Sequence, residues 1–514
     1  MIRRAALAVA ALSFGLSAAA LLAADTSGRA ARRPLADRRP HPDPIGVAVS
    51  SDGRRAYVAL NGTDELAEVD LETGEVLRRF KTGHRPNEVF RDGSTLYVAD
   101  DEPEFLRIDL ANGETDRFGA SRFPDGSVRK RAAVGIPLPD GRGSAGLHLD
   151  AEPDWDRSPF RRVTGQVFTN SFAATFPYDG SVAVARTGGF SGALGFAGGG
   201  AAHELSGSLD TGRVGAADPA DAVWSASAQT LFVSAAGSDV VLSLKAKPLS
   251  AALQEVVDRP TPPPAQFGWS GFGGFVAPRL EVAYRSRVPG VLRTQSNPRR
   301  LALSDDGRTL VAANTLSDSL TVIAVDGSTS RVVKHIPLGG PPAGPARRGE
   351  ILFHSSRMTF NGRFSCASCH PGGGSDGRVW DTPAENPGPR RTKPLFGVAD
   401  TAPYGWHGDS PTLADRVRKT LGRLHRRTPS PAQVTDLVAY LESLPAPAAK
   451  PIPEEKREQA CRGRELFEGK GRCARCHSGD SLQDGELHDV GYGGPFRTPS
   501  LRGVSVRRPL LHDG

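Results

Sequence analysis

Short runs of alternating apolar and polar residues fill most of residues 41–338. The first set lies at 44–49, 56–59, 65–71 and 75–80, separated by turns containing glycine, such as Asp52-Gly53. A period of two puts every second side chain on one face, so each run predicts a strand with a buried face. The pattern returns at 86–110, 219–244 and 298–325, opened each time by a proline. From Pro44 to Pro86 is 42 residues, from Pro86 to Pro219 is 133, and from Pro219 to Pro298 is 79. These intervals are about one, three and two repeats of a forty-residue unit, which with the final unit predicts seven. Seven units that cannot each bury their own face read as an all-β propeller. A β-sandwich is the runner-up, and the regular period argues against it. Residues 119–215 keep the spacing but are rich in glycine and alanine, and read as an elaborated blade or large loops.

Past the Gly/Pro-rich stretch at 339–346 the period becomes helical. Residues 347–353 read as a helix, and 462–467 repeat it. The partner of the first is an amphipathic segment at 431–444, ended by Pro445. The boundaries are therefore a propeller at 41–338, a linker at 339–346, and two mainly helical domains at 347–446 and 447–514. The two domains are duplicates: Arg391-Thr-Lys-Pro-Leu-Phe-Gly-Val398 matches Arg497-Thr-Pro-Ser-Leu-Arg-Gly-Val504, an offset of 106. Residues 403–408 likewise match 509–514. The second copy lacks a counterpart of the 431–444 helix and reads as incomplete.

Cysteine use points to chemistry. Of five cysteines, four lie in Cys366-Ala-Ser-Cys369-His370 and Cys473-Ala-Arg-Cys476-His477. This is the attachment pattern of c-type haem, in which two thiols take the vinyl groups and the following histidine becomes the proximal iron ligand. Two covalent haems follow, with His370 and His477 on iron. One zinc shared by both pairs, or two redox dithiols, would need the same cysteines but not the histidine after each pair. Cys461 has no partner in such a pattern and reads as an incidental thiol.

Gly 59 and Pro 41 favour turns over long helices, and the charge of +7 comes from scattered arginines. Without a basic stripe interleaved with aromatics, nucleic acid is excluded as a partner. Arg3 and Arg4 precede an apolar, alanine-rich run to Ala24, which reads as a secretory signal peptide at 1–24 followed by a linker at 25–40. An uncleaved anchor is the alternative, and no later stretch is apolar enough to span a membrane. Export places the protein in the periplasm, where bacterial haem attachment takes place.

Two resemblances sharpen this reading. Ala56-Tyr57-Val58-Ala59 before Asn61, and Val311-Ala-Ala-Asn314, resemble the YVTN-type β-propeller family. Residues 345–514 resemble the bacterial di-haem cytochrome c peroxidase family, which includes the methylamine-utilisation di-haem enzyme. The resemblance rests on 365–370, the two Arg-Thr segments and Ala402-Pro-Tyr-Gly-Trp406-His407-Gly408. It implies two cytochrome c-like domains, two-electron reduction of peroxide, and electron relay between the haems through Trp406. It also implies calcium between the haem domains, although Arg391 stands where a site amide is expected. His407 replaces an acidic residue and is a candidate distal group. The family's distal ligand between Pro371 and Trp406 is missing, as is its acid–base glutamate; Asp415 and His425 are the titratable residues nearby. For the second haem His488 and His512 are the candidate further ligands. The other function these residues allow is a non-catalytic electron carrier whose propeller binds a redox partner protein.

Overall fold

Each four-stranded sheet opens on a proline whose predecessor is in the left-handed region: Asp43 (φ 47), Arg85 (φ 53), Asp218 (φ 50) and Asn297 (φ 61). The computed structural model describes most of residues 40–118, 217–245 and 290–504, with strands between 131 and 208. The signal-peptide segment and most of the 25–40 linker lie outside the described residues, as does His512.

Sheet one comprises β1 (Pro44–Val49), β2 (Arg55–Leu60), β3 (Glu65–Asp70) and β4 (Val76–Lys81). Sheet two comprises β5 (Glu88–Asp92), β6 (Thr95–Ala99), β7 (Phe105–Asp109) and β8 (Thr115–Phe118). A six-stranded antiparallel meander follows: β9 (Arg131–Pro137), β10 (Ser144–Leu149), β11 (Ser171–Phe176), β12 (Ser181–Gly188), β13 (Ser191–Ala197) and β14 (Leu205–Ser208). Sheet three comprises β15 (Pro219–Ser225), β16 (Thr230–Ala235), β17 (Val240–Lys245) and β18 (Gly290–Arg293). Sheet four comprises β19 (Pro298–Leu303), β20 (Thr309–Asn314), β21 (Ser319–Asp326) and β22 (Thr329–Pro337). Each four-stranded sheet is an antiparallel meander in chain order.

The expected count of seven units does not reappear among the described residues. Between Pro86 and Pro219 lie sheet two and the meander, where three equal units were expected. Between Pro219 and Pro298 the described residues form one sheet, in which β17, ending at Lys245, pairs with β18, beginning at Gly290.

The four sheets have a propeller-like arrangement. Their first strands lie side by side in the order β5, β1, β19, β15. Gly46 of β1 is needed there, since a Cβ would stand 2.8 Å from the Glu88 backbone of β5. The outer strand β4 alternates half-buried and exposed positions, while β2 is buried from Ala56 to Leu60. One apolar face of sheet one (Val47, Val58, Val69) meets sheet four (Val311, Leu320, Ile336); the other (Tyr57, Leu66) meets sheet two (Leu96, Val98). Fully burying such side chains contributes roughly 1.5–3 kcal/mol each.

A polar clip joins neighbouring sheets. The aspartate before the third strand accepts the N–H of the left-handed residue that opens the next sheet: Asp64 from Arg85 (2.8 Å), and Asp239 from Asn297 (3.0 Å). Asp318 of sheet four does the same for Asp43 (3.1 Å), so the last sheet is fastened to the first. The Asp-Gly pairs at the first hairpins are turn formers, as expected: Asp52 accepts from Ser50 Oγ and Arg54 N, and Asp306 from Ser304 Oγ and Arg308 N.

The helical half contains α1 (Pro345–His354), α2 (Cys366–Cys369), α3 (Leu413–Arg423), α4 (Pro431–Ser443) and α5 (Arg457–Glu468). Helix α1 crosses α4 at Gly349, and Phe353 and Tyr440 pack beside the crossing, 5.1 Å between ring centroids. Ser430 starts α4 with a capping box to Gln433, as its Ser-Pro-x-Gln sequence dictates. Helix α5 repeats the glycine and phenylalanine of α1 but has no buried residue, and nothing lies within 4 Å of a Cβ placed on Gly463. Arg347 of α1 is buried at the seam of sheets one and four, paired with Asp43 (2.6 Å), Asp318 (3.2 Å) and Glu350 (2.9 Å). Burial raises the Asp43 carboxyl to about 6, and the Arg347 charge offsets only part of that. No helix among the described residues is long and apolar enough to cross a membrane.

Candidate functional site

Both Cys-x-x-Cys-His motifs form tight helical turns closed by the same bond. His370 N donates to Cys366 O and His477 N to Cys473 O, each at 2.9 Å. The first turn, α2, is capped by Ser365, whose side chain and that of Ser368 form a reciprocal capping box. The second is a 3-10 turn entered through left-handed Arg472. In a helical turn side chains three apart share a face, so the two thiols of each motif are presented together.

The histidines are oriented alike. Nδ1 of His370 lies 3.2 Å from Gly374 O, and Nδ1 of His477 lies 3.2 Å from Leu482 O. A carbonyl only accepts, so Nδ1 carries the proton and Nε2 is left with a lone pair, the state an iron ligand needs. Burial holds His370 down at about 4, which keeps it neutral. These residues fit a haem at each motif. They do not fit one shared zinc: among the described residues the converging metal-binding side chains are Cys476, Asp484 and His488. His488 Nε2 is held by Asp484 at 2.7 Å, beside Cys476.

Burial pushes the Cys366 thiol up to about 12. Such a thiol is a poor nucleophile in the folded chain. Cys461 on α5 is exposed. In haem-loaded protein, iodoacetamide is expected to label Cys461 and leave the four motif cysteines unmodified, read by peptide mass spectrometry.

Trp406 is buried between the duplicated segments. Its indole N–H donates to Arg391 O (3.1 Å), and its own carbonyl accepts from Arg497 N (2.9 Å). The two arginines occupy equivalent positions of the two copies. Phe496 of β24 (Pro495–Arg497), which pairs with β23 (Leu487–Asp489), meets the indole edge-on. Lys393 Nζ stands 3.9 Å over the ring. Trp406 thus lies where the segment after the first motif meets the segment after the second.

His407 packs against the segment that follows the second motif. Its Nδ1 donates to Pro495 O (3.3 Å), its Nε2 accepts from Arg390 (3.5 Å), and its ring lies over Phe496. Nδ1 and the ring face thus make the contact with the 495–497 strand. Asp415 is an exposed partner of Thr412 at the start of α3. His425, just past α3, is 2% exposed, edge-on to Phe364 and close enough to His370 to affect its charge. Nδ1 of His425 donates to Met358 O (3.2 Å), leaving Nε2 as an acceptor. Its position beside Phe364, two residues before Cys366, was not legible in a sequence separation of some sixty residues. Where calcium was expected stand Arg390, Arg391 and Lys393, and among the described residues no group of three acidic side chains gathers there.

A contact that sequence reasoning missed reaches α2 from the sheets. Asp218 accepts from Ser365 Oγ and Ser368 Oγ, both at 2.6 Å. Arg357 also pairs with Asp239 (3.3 Å).

Comparison with known proteins agrees with this chemistry. Residues 346–452 match the family described as di-haem cytochrome c peroxidase. The chain is 27% identical over 224 residues to methylamine utilization protein MauG of Methylorubrum extorquens, covering 32% of this chain and 64% of that protein. It is 28% identical over 183 residues to hydrazine synthase subunit gamma of Kuenenia stuttgartiensis, covering 31% of this chain and 51% of that protein. The match therefore spans less than two thirds of either relative. Among solved structures, a Kuenenia stuttgartiensis hydrazine synthase chain aligns with TM-score 0.38 and 15% identity, over 57% of this chain and 99% of that one. The helical half of this chain thus carries a region similar to the di-haem cytochrome c peroxidases, a family of haem oxidoreductases.

Proposed function

We propose that this chain is an exported, periplasmic di-haem oxidoreductase that reduces peroxide to two waters, consuming two electrons and two protons. The observation that carries the reading is the pair of matching Cys-x-x-Cys-His turns, each presenting Nε2 of its histidine, with Trp406 held between the duplicated arginine segments. Bound haem would supply the redox chemistry, attached through Cys366 and Cys369 in one domain and Cys473 and Cys476 in the other. Trp406 would lie on the route by which electrons pass between them. The propeller-like sheets would present the haem domains to a redox partner protein, and their seam from Asp318 to Asp43 supports a closed ring.

His425, rather than Asp415 or His407, would handle protons at the first haem. It is buried and its tautomer is fixed, which suits a group that accepts a proton at Nε2. The same free Nε2 favours a second reading: a His425 that reaches iron would close that face and leave a pure electron carrier. Optical and EPR spectra of the oxidised, full-length protein decide between them. A high-spin component that changes when peroxide is added is expected; two low-spin haems indifferent to peroxide would sink the enzyme.

Burial holds His425 at about 4, below its ordinary 6.5. The folded state therefore prefers the neutral ring, and the stability this gives is present above pH 6.5 and lost as pH falls toward 4. Urea unfolding should show a loss of about 2 kcal/mol between about pH 7 and about pH 5 from this group. His425→Leu is expected to flatten that part of the profile.

A further inference from the structure

We propose that Asp218, which belongs to the sheets, sets the reduction potential of the haem at Cys366 and Cys369 by holding a negative charge against its attachment turn. The proposal rests on the reading that this motif carries haem.

Asp218 opens its sheet in the left-handed conformation (φ 50). Arg85, Asn297 and Asp43 also open a sheet in the left-handed conformation, and each gives its backbone N–H to the clip aspartate of the preceding sheet. The Asp218 carboxylate reaches out of the sheet to α2, one oxygen to Ser365 and the other to Ser368, each at 2.6 Å. These serines immediately precede Cys366 and Cys369 in the chain. The charge therefore stands one residue from each thioether position. Two hydroxyl donors on two different oxygens satisfy the anionic form of a carboxylate.

That charge also faces other groups near the turn. It adds to burial in raising the Cys366 thiol, and it acts on His354 against the opposing charge of Arg299. Ferric haem carries one more positive charge than ferrous haem. A fixed anion nearby favours the ferric form, most strongly where burial weakens screening, and so lowers the potential. The turn at Cys473 and Cys476 differs: it is entered through Arg472 and carries Arg475, and the carboxylate near it, Asp484, is paired with His488. The sheets would thereby make the two haems unequal as donor and acceptor.

The test is spectroelectrochemical titration of full-length holoprotein and its Asp218→Asn variant. Asparagine tolerates the left-handed backbone and keeps an acceptor for one serine while removing the charge. The first haem is expected to shift about tenfold toward the ferrous form at a fixed potential, a rise of about 59 mV, with the second unmoved. Equal midpoints in variant and parent, with both haems retained, would show Asp218 to be a cap and overturn the proposal. Should Asp218→Asn lose haem, Asp218→Gly, also at ease at this φ, is titrated and must show the same rise. Loss of haem in both variants makes the residue structural and overturns the proposal as well. A haem count of two in the parent separately tests the reading beneath it.

Discussion

Gly349→Ala is expected to destabilise the first haem domain by about 3 kcal/mol, the upper range for overpacking a tight contact. A Cβ on Gly349 would stand 1.9 Å from Asp436 O, 2.5 Å from its carbonyl carbon and 2.8 Å from Tyr440 Cβ. Backbone cannot yield as a side-chain tip can, so α1 and α4 must separate. Separation also loosens the Phe353–Tyr440 contact and the paired Arg348–Asp436 hydrogen bonds at 2.9 and 2.7 Å. Gly463 is the matched control, since it occupies the equivalent place in α5 with nothing within 4 Å of its Cβ. Gly463→Ala should be neutral or stabilise by up to about 1 kcal/mol through helix propensity alone. Thermal unfolding of the two variants side by side checks both values; equal effects would mean that the crossing does not depend on close backbone approach.

Replacing Cys366 and Cys369 together by serine should leave one covalent haem per chain, as should replacing Cys473 and Cys476. Each pair presents its thiols from one turn, and each turn has its own histidine anchored by a carbonyl through Nδ1. The sites are therefore independent for attachment, and the pyridine haemochrome should halve in either variant. They are not equivalent for chemistry. His425 and Asp218 lie by the first motif alone, so losing that haem should abolish peroxide reduction while the second haem is still reduced. Retained peroxide turnover without the first haem would move the reaction to the other site.

Local chemistry was legible in the chain and long-range placement was not. The two haem motifs, the Asp-Gly hairpins and the α1–α4 pair each rest on a short pattern whose physics is local: vicinal thiols, a turn former, an amphipathic period with a cap. The prolines that open the sheets were legible too, but their spacing says nothing of which strands pair, as β17 does with β18 across more than forty residues. Asp218 carried no signal in the chain because Ser365 and Ser368 lie about 150 residues away, brought near only by how the sheets assemble. His407 sits next to Trp406, yet backbone direction sends its ring to Phe496 and the second domain. His425 had no motif around it, and its burial beside Phe364 depends on where α3 ends.

Arg347 gives the last consequence. It belongs to the first helix of the haem half, yet its partners Asp43 and Asp318 come from the two sheets that meet at the seam. The seam between the two sheets is therefore locked by a residue that lies outside them, and the lock is buried. Cutting the 339–346 linker would not by itself part the two halves, because the joint does not run through that peptide. A protease nick there should leave a single particle in which haem domain and sheets still travel as one.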